Sequence, residues 1–98
     1  MADFQSRLAA LRERFVAQAS AQTATVADCI RDGRWVELRD ICHVWAGGAG
    51  MFGFGALGDT AREVEEAIDA GLDEARLRVL AARLLDEARV LTATQTSE

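Results

Sequence analysis

The sequence predicts an all-α protein: an up-and-down four-helix bundle with an additional N-terminal helix. Three observations carry this. The 98 residues include no proline, so nothing need interrupt a long helix. Alanine, leucine, arginine and glutamate dominate, and all are good helix formers. Apolar residues recur at spacings of three and four, and no segment alternates with the period of a strand.

Phe4, Leu8, Leu11 and Phe15 lie on one helical face, with Asp3 as a candidate N-cap. Ala19, Val26, Cys29 and Ile30 mark a second helix or a bent continuation of the first. Asp32-Gly33 is a turn signal that ends it. A third helix starts near Arg34, with Leu38, Ile41, Cys42, Trp45, Ala49 and Phe52 inward. A fourth spans about 56–70, with Leu57, Ala61, Val64 and Ile68 inward and Gly71 at its end. A fifth spans about 73–91, with Leu77, Leu80, Ala81, Leu84, Ala88 and Leu91 inward. Residues 92–98 read as a frayed polar tail. Short connections make successive helices antiparallel neighbours, with the N-terminal helix packed across them. No repeat or linker divides the chain, so 1–98 reads as one domain.

The formal net charge is -5 and the pI about 4.8, which argues against nucleic-acid binding. The N-terminus lacks the basic and then apolar run of a signal peptide. Between Ile41 and Gly58 His43 is the only basic or acidic residue, but six glycines make the stretch too weakly apolar for a membrane span. Cys29 and Cys42 form no CxxC pair and read as buried thiols in a reducing compartment, the cytoplasm. With one histidine there is no metal-ligand cluster. Gly53 to Gly58 formally matches GxGxxG, but follows a helical pattern where a nucleotide fingerprint needs a strand.

His43 is the candidate for chemistry. It falls about 140° round the helix from Leu38, the centre of the apolar arc, and so faces solvent. Val36, Arg39, Asp40, Gly47, Gly50 and Phe54 share its face. Each glycine inside a helix costs about 1 kcal/mol relative to alanine. A solvent-facing position gains no packing in return, so Gly47 and Gly50 are expected to give another macromolecule access to the imidazole. Gly48 and Gly53 lie nearer the flanks, where close helix approach is the plain explanation.

The run from His43-Val44-Trp45-Ala46-Gly47 to Gly53-Phe54 resembles the signature of histidine-containing phosphotransfer domains, roughly H-x-L-K-G-x-A-x-x-hydrophobic-G. Similar flanks surround it: Leu11 to Phe15, Asp32 to Trp35, Leu57, and Ala61 to Glu65. This resemblance implies a carrier in a two-component phosphorelay. His43 would take a phosphoryl group from an aspartyl phosphate on a receiver domain and pass it to another. Gly47 would be the flat neighbour that admits the partner. The implied partners are response-regulator receiver domains and a hybrid sensor kinase. The carrier would bind no cofactor itself, any Mg2+ being supplied by the receiver, and would have no turnover of its own. Val36, Asp40 and Phe54 are the expected docking rim, and a monomer is expected.

One position departs from the signature. Ala46 stands where the family commonly has a lysine beside the phosphoryl group. Its loss weakens charge compensation, and Arg39, one turn before His43, is the cation placed to offset it. Ala46 also motivates a second reading, an adaptor that keeps the fold and binds receivers or kinases without carrying phosphate. A third reading, a plain helical adaptor or a subunit of a homo-oligomeric bundle, accounts for the spacing of Phe4, Leu8, Leu11 and Phe15 but not for glycines on a solvent face.

Overall fold

The structure, a computed structural model, describes residues 2–96. It has four α-helices: α1 (Ala2–Asp32), α2 (Trp35–Ala49), α3 (Gly55–Asp69) and α4 (Glu74–Thr96). A single 3-10 turn, Gly50–Phe52, follows α2, and there is no strand among the described residues.

Cross-helix bonds fix the up-and-down order. Trp45 donates its indole N–H to Gln22 at 3.0 Å, tying α2 to α1. Arg39 meets Asp69, and Ala49 meets Gly58, so α3 runs back along α2. Arg83 pairs with Glu63 between α3 and α4. Arg78 donates to the Ile30 carbonyl at 2.5 Å, and Thr92 to the Ser20 hydroxyl at 3.2 Å, so α4 is antiparallel to α1.

The bundle core matches the apolar periodicity. Leu38, Cys42, Trp45, Ala49, Leu57, Ala61, Val64, Ala81, Leu84 and Ala88 are buried, with Val16, Ala19, Val26 and Cys29 from α1. Ile41, Phe52, Ile68 and Leu80 pack at its edge, half-buried. Both cysteines are buried and free, and burial pushes the Cys42 thiol up to about 12.

Three glycines end helices by the same device. Gly33, Gly53 and Gly71 have φ of +70°, +90° and +74°. After each, the next N–H reaches back across the final turn: Arg34 to Cys29, Phe54 to Ala49 and Leu72 to Ala67, at 2.8–3.1 Å. This left-handed closure satisfies carbonyls that a helix end leaves open. Gly53 is thus a cap and makes no close helix approach; none of the described residues comes within 4 Å of where its Cβ would be. Gly48 and Gly58 are the close-approach glycines. A Cβ on Gly48 would sit 3.0 Å from the Phe15 ring, and one on Gly58 would sit 3.3 Å from the Ala49 Cβ.

Several boundaries differ from those the sequence predicts. The first two segments are one continuous helix, because neither glycine nor proline breaks 2–32. The N-terminal stretch therefore extends α1 and does not pack across the bundle. Phe4, Leu8 and Leu11 are exposed by 69, 39 and 46 %, while Phe15 is half-buried against Phe52 and Phe54. Asp3 lies inside the first turn of α1 and is not its N-cap. Asp73, by contrast, caps α4, accepting the Arg76 N–H at 2.9 Å. Helix α4 continues through the expected frayed tail to Thr96; Met1, Ser97 and Glu98 lie outside the described residues.

Substituting Gly53→Ala forces a side chain into left-handed backbone with no steric clash to add. A loss of about 1–2 kcal/mol in urea unfolding is expected. An unchanged stability would show that the cap does not depend on glycine.

Candidate functional site

The site follows from how α2 is turned. Burial of Leu38, Cys42, Trp45 and Ala49 fixes one face of the helix inward, and the Trp45–Gln22 bond locks its rotation. The opposite face then carries Val36, Asp40, His43, Val44 and Gly47, all exposed. The His43 side chain is 73 % exposed.

Helix α3 supplies what the sequence pattern did not single out. Glu65 reaches across and places Oε2 2.8 Å from His43 Nδ1. Its side chain is only 15 % exposed, lodged between α2 and α3. An ionised carboxylate only accepts, so Nδ1 carries the hydrogen and donates. The lone pair of the neutral ring is then on Nε2, at the solvent side of a ring whose other nitrogen is held.

Arg39 extends the group. Its guanidinium grips Asp69 through two nitrogens, Nε at 2.5 Å and Nη2 at 3.2 Å. It also lies 3.9 Å from Glu65 and 3.7 Å from Asp40. Hydrogen bonding from Arg39 holds the Asp69 carboxyl below the usual carboxylate range. That pair therefore supports the fold at neutral pH and is lost as pH falls through the lowered Asp69 value. The cation expected beside a phosphoryl group is thus already engaged by carboxylates on three sides.

The remaining expected residues separate into two groups. Gly47 and Gly50 are open: a methyl group added at either would meet none of the described residues within 4 Å. Gly50 belongs to the 3-10 turn beyond α2. Ala46 is half-buried against the core beside α3. Phe54 is not on the histidine face: α2 ends at Ala49, so the helical phase does not carry that far. It is half-buried, stacked on Phe15 at 6.1 Å, with the Arg12 guanidinium 4.8 Å over its ring. Val44, exposed directly beside His43, takes its place in the apolar rim.

Two residues were missed, Glu65 and Asp69. They sit four apart on α3, at the edge of its inward face, and i, i+4 carboxylates on an acidic helix give no separate signal. Their importance comes from the register of α3 on α2. Among the described residues, no group of three or more His, Cys, Asp or Glu is arranged to hold a metal ion. The carboxylates nearest His43 are taken by the imidazole and by Arg39, an arrangement that does not fit a divalent cation.

Glu65 is expected to set the imidazole tautomer, and that is directly measurable. Nitrogen chemical shifts of His43 at mildly alkaline pH are expected to report hydrogen on Nδ1. In Glu65→Ala the balance is expected to move to Nε2–H, the usual majority form of free imidazole side chains. The same tautomer in both proteins would remove Glu65 from this role.

Comparison with known proteins agrees with the architecture. The family model described as Hpt domain matches residues 10–95. Comparison with curated proteins and with solved structures gave no match. No helix among the described residues is long and apolar enough to cross a membrane. The helical bundle, the exposed histidine on its second helix and a family match over nearly the whole chain converge: the chain belongs to the histidine-containing phosphotransfer (Hpt) domain family, whose members act in two-component phosphorelays.

Proposed function

We propose that His43 is the phosphoryl-accepting residue of a relay carrier that takes its phosphoryl group from a receiver aspartyl phosphate and yields it to another receiver. The observation that carries this is the His43–Glu65 contact at 2.8 Å, on a face that is otherwise open.

The chemistry follows from that contact. The Nε2 lone pair attacks the phosphorus in line. The P–N bond forms as the P–O bond to the aspartyl carboxylate breaks, and that carboxylate leaves with the electron pair. Nδ1 keeps its hydrogen, so the phosphorylated ring carries a positive charge beside Glu65. The carboxylate thus orients the nucleophile before attack and stabilises the cationic ring after it, as a buried carboxylate does for histidine in other catalytic pairs. The reverse steps return the group to a receiver. Mg2+ belongs to the receiver, and no step here is assigned to a metal on this chain.

Docking uses the exposed stripe Val36, Asp40, Val44 and Gly47 around the imidazole. Two valines give an apolar rim, and Gly47 keeps the centre flat. A hybrid sensor kinase fits upstream. The adaptor reading rests on Ala46 and on Arg39 being held by Asp69, which leave the site short of a free cation among the described residues. Transfer distinguishes the two.

Incubation with a phosphorylated receiver and Mg2+ is expected to place acid-labile, base-stable phosphate on this chain. His43→Gln is expected to take none, and Gly47→Leu to slow transfer without loss of helicity. Receiver binding without transfer would establish the adaptor instead. Ala46→Lys is expected to lengthen the phosphohistidine lifetime, measured as hydrolysis after labelling; an unchanged or shorter lifetime would contradict the electrostatic explanation of that position.

A further inference from the structure

Helix α2 places Arg39 one turn before His43, and residues four apart on a helix are neighbours. All three of its guanidinium nitrogens face carboxylates. Nε and Nη2 hold Asp69 at 2.5 and 3.2 Å, Nη2 also lies 3.9 Å from Glu65, and Nη1 lies 3.7 Å from Asp40. Glu65 Oε2 stands between Arg39 and the ring, because the same oxygen takes Nδ1 of His43 at 2.8 Å. Arg39 is therefore kept at the Nδ1 side of the imidazole, away from the nucleophilic Nε2.

Asp69 is the last residue of α3. A carboxylate there opposes the helix dipole, and alanine would suit the helix better. The helix gains nothing locally from Asp69; its partner is Arg39, thirty residues earlier in the chain. The grip is two-pronged, which fixes the direction of the guanidinium as well as its position. As a staple between α2 and α3 it adds little. The side chains are 38 and 50 % exposed, and pairs so exposed contribute weakly to stability. The two helices are already joined by the buried core. What the pair does decide is where the cation beside His43 points.

We propose that Asp69 is a positioning residue that withholds Arg39 from the phosphoryl group and so shortens the life of the phosphohistidine; this rests on His43 being the phosphoryl acceptor. A phosphoryl group on Nε2 brings negative charge and acceptor oxygens that a guanidinium is suited to bind. Arg39 shares the face of His43, so a freed side chain can turn toward it. In the native chain that move breaks both prongs of the Asp69 bond. It also strips the cation from Asp40 and Glu65, which remain close together. Three carboxylates thus compete with one phosphoryl group for Arg39, and Asp69 is the one that holds it by hydrogen bonds. Ala46 supplies no charge in its place. The short supply of counter-charge then has an active cause, an acid that occupies the neighbouring arginine, besides the missing lysine. Such a carrier hands its phosphoryl group on and does not store it.

Phosphoramidate tests this without a receiver: its phosphoryl group passes to an accessible histidine nitrogen as its own P–N bond breaks and ammonia leaves. Hydrolysis, in which water takes the phosphoryl group from Nε2, is then followed by phosphorus NMR on the full chain. Asp69→Ala is expected to lengthen the half-life about two- to fivefold, the scale of an exposed ion pair. Arg39→Gln alone is expected to leave it near the wild-type value, and Arg39→Gln added to Asp69→Ala to abolish the gain. The Arg39 Nε–H resonance is expected to stay in place on phosphorylation of the wild type and to shift on phosphorylation of Asp69→Ala. Helicity is expected to be kept, since Asp69 is exposed and alanine favours helix. Equal half-lives in the wild type and Asp69→Ala overturn the proposal and leave His43 as the acceptor. A gain that survives the loss of Arg39 also overturns it, assigning the effect to removal of negative charge alone. So does a half-life shortened by Arg39→Gln, which would show Arg39 already serving the phosphoryl group. Absence of phosphate on His43 in every variant would overturn the acceptor reading and this proposal with it.

Discussion

The site depends on the close packing of α2 on α3. At Gly58 the two backbones approach until an added Cβ would meet Ala49 Cβ at 3.3 Å and the Gly50 backbone nitrogen at 3.4 Å. An alanine there would require the neighbouring atoms to give by a few tenths of an ångström, and a larger side chain would require more. This approach, with Leu57, Ala61 and Val64 buried beneath it, sets the register of α3 along α2. From that register follow the two polar crossings higher up: Glu65 against His43 and Asp69 against Arg39. A shift of one residue would turn Glu65 about 100° away from the imidazole. The surroundings of an exposed histidine are thus governed by apolar contact beneath the surface.

The same packing explains an electrostatic balance. A phosphoryl group brings negative charge to a chain that already has a formal charge of -5. Members of the family commonly meet it with a lysine one turn after the histidine. Here Ala46 occupies that turn, half-buried beside α3, and the nearby cation Arg39 is clasped by Asp69 with Glu65 and Asp40 close by. On the proposed mechanism, compensation in this protein rests on the ring itself. Protonated at Nδ1 and phosphorylated at Nε2, the imidazole carries the positive charge that Glu65 stabilises. Such a group suits transfer more than storage, since little else among the described residues is placed to hold the phosphate.

Much of this was legible in the sequence because helical phase is a local property. The inward sets of α2, α3 and α4 could be read from spacing, and so could the outward position of His43 and the openness of Gly47. What spacing cannot give is what stands opposite. Phe4, Leu8 and Leu11 announce an apolar face, but their phase is the same whether the face is covered by this chain, by another, or by water. Phe54 was placed by extending the α2 wheel through Gly53, where left-handed backbone ends the helix and resets the phase. The break expected inside α1 came from its weakly apolar middle; Gln22, Thr23 and Thr25 lower the hydrophobicity without preventing helix, and Gln22 instead satisfies the buried Trp45. Glu65 and Asp69 were silent because their roles exist only across two helices.

In the proposed mechanism Glu65 holds one imidazole nitrogen so that the other receives the phosphoryl group. Nitrogen–phosphorus correlation on isotope-labelled, phosphorylated protein tests this at the bond itself. Phosphorus is expected to couple to Nε2 of His43, with the Nδ1 hydrogen retained and shifted downfield by its bond to Glu65. Coupling to Nδ1, or phosphate on any other residue, would contradict the mechanism.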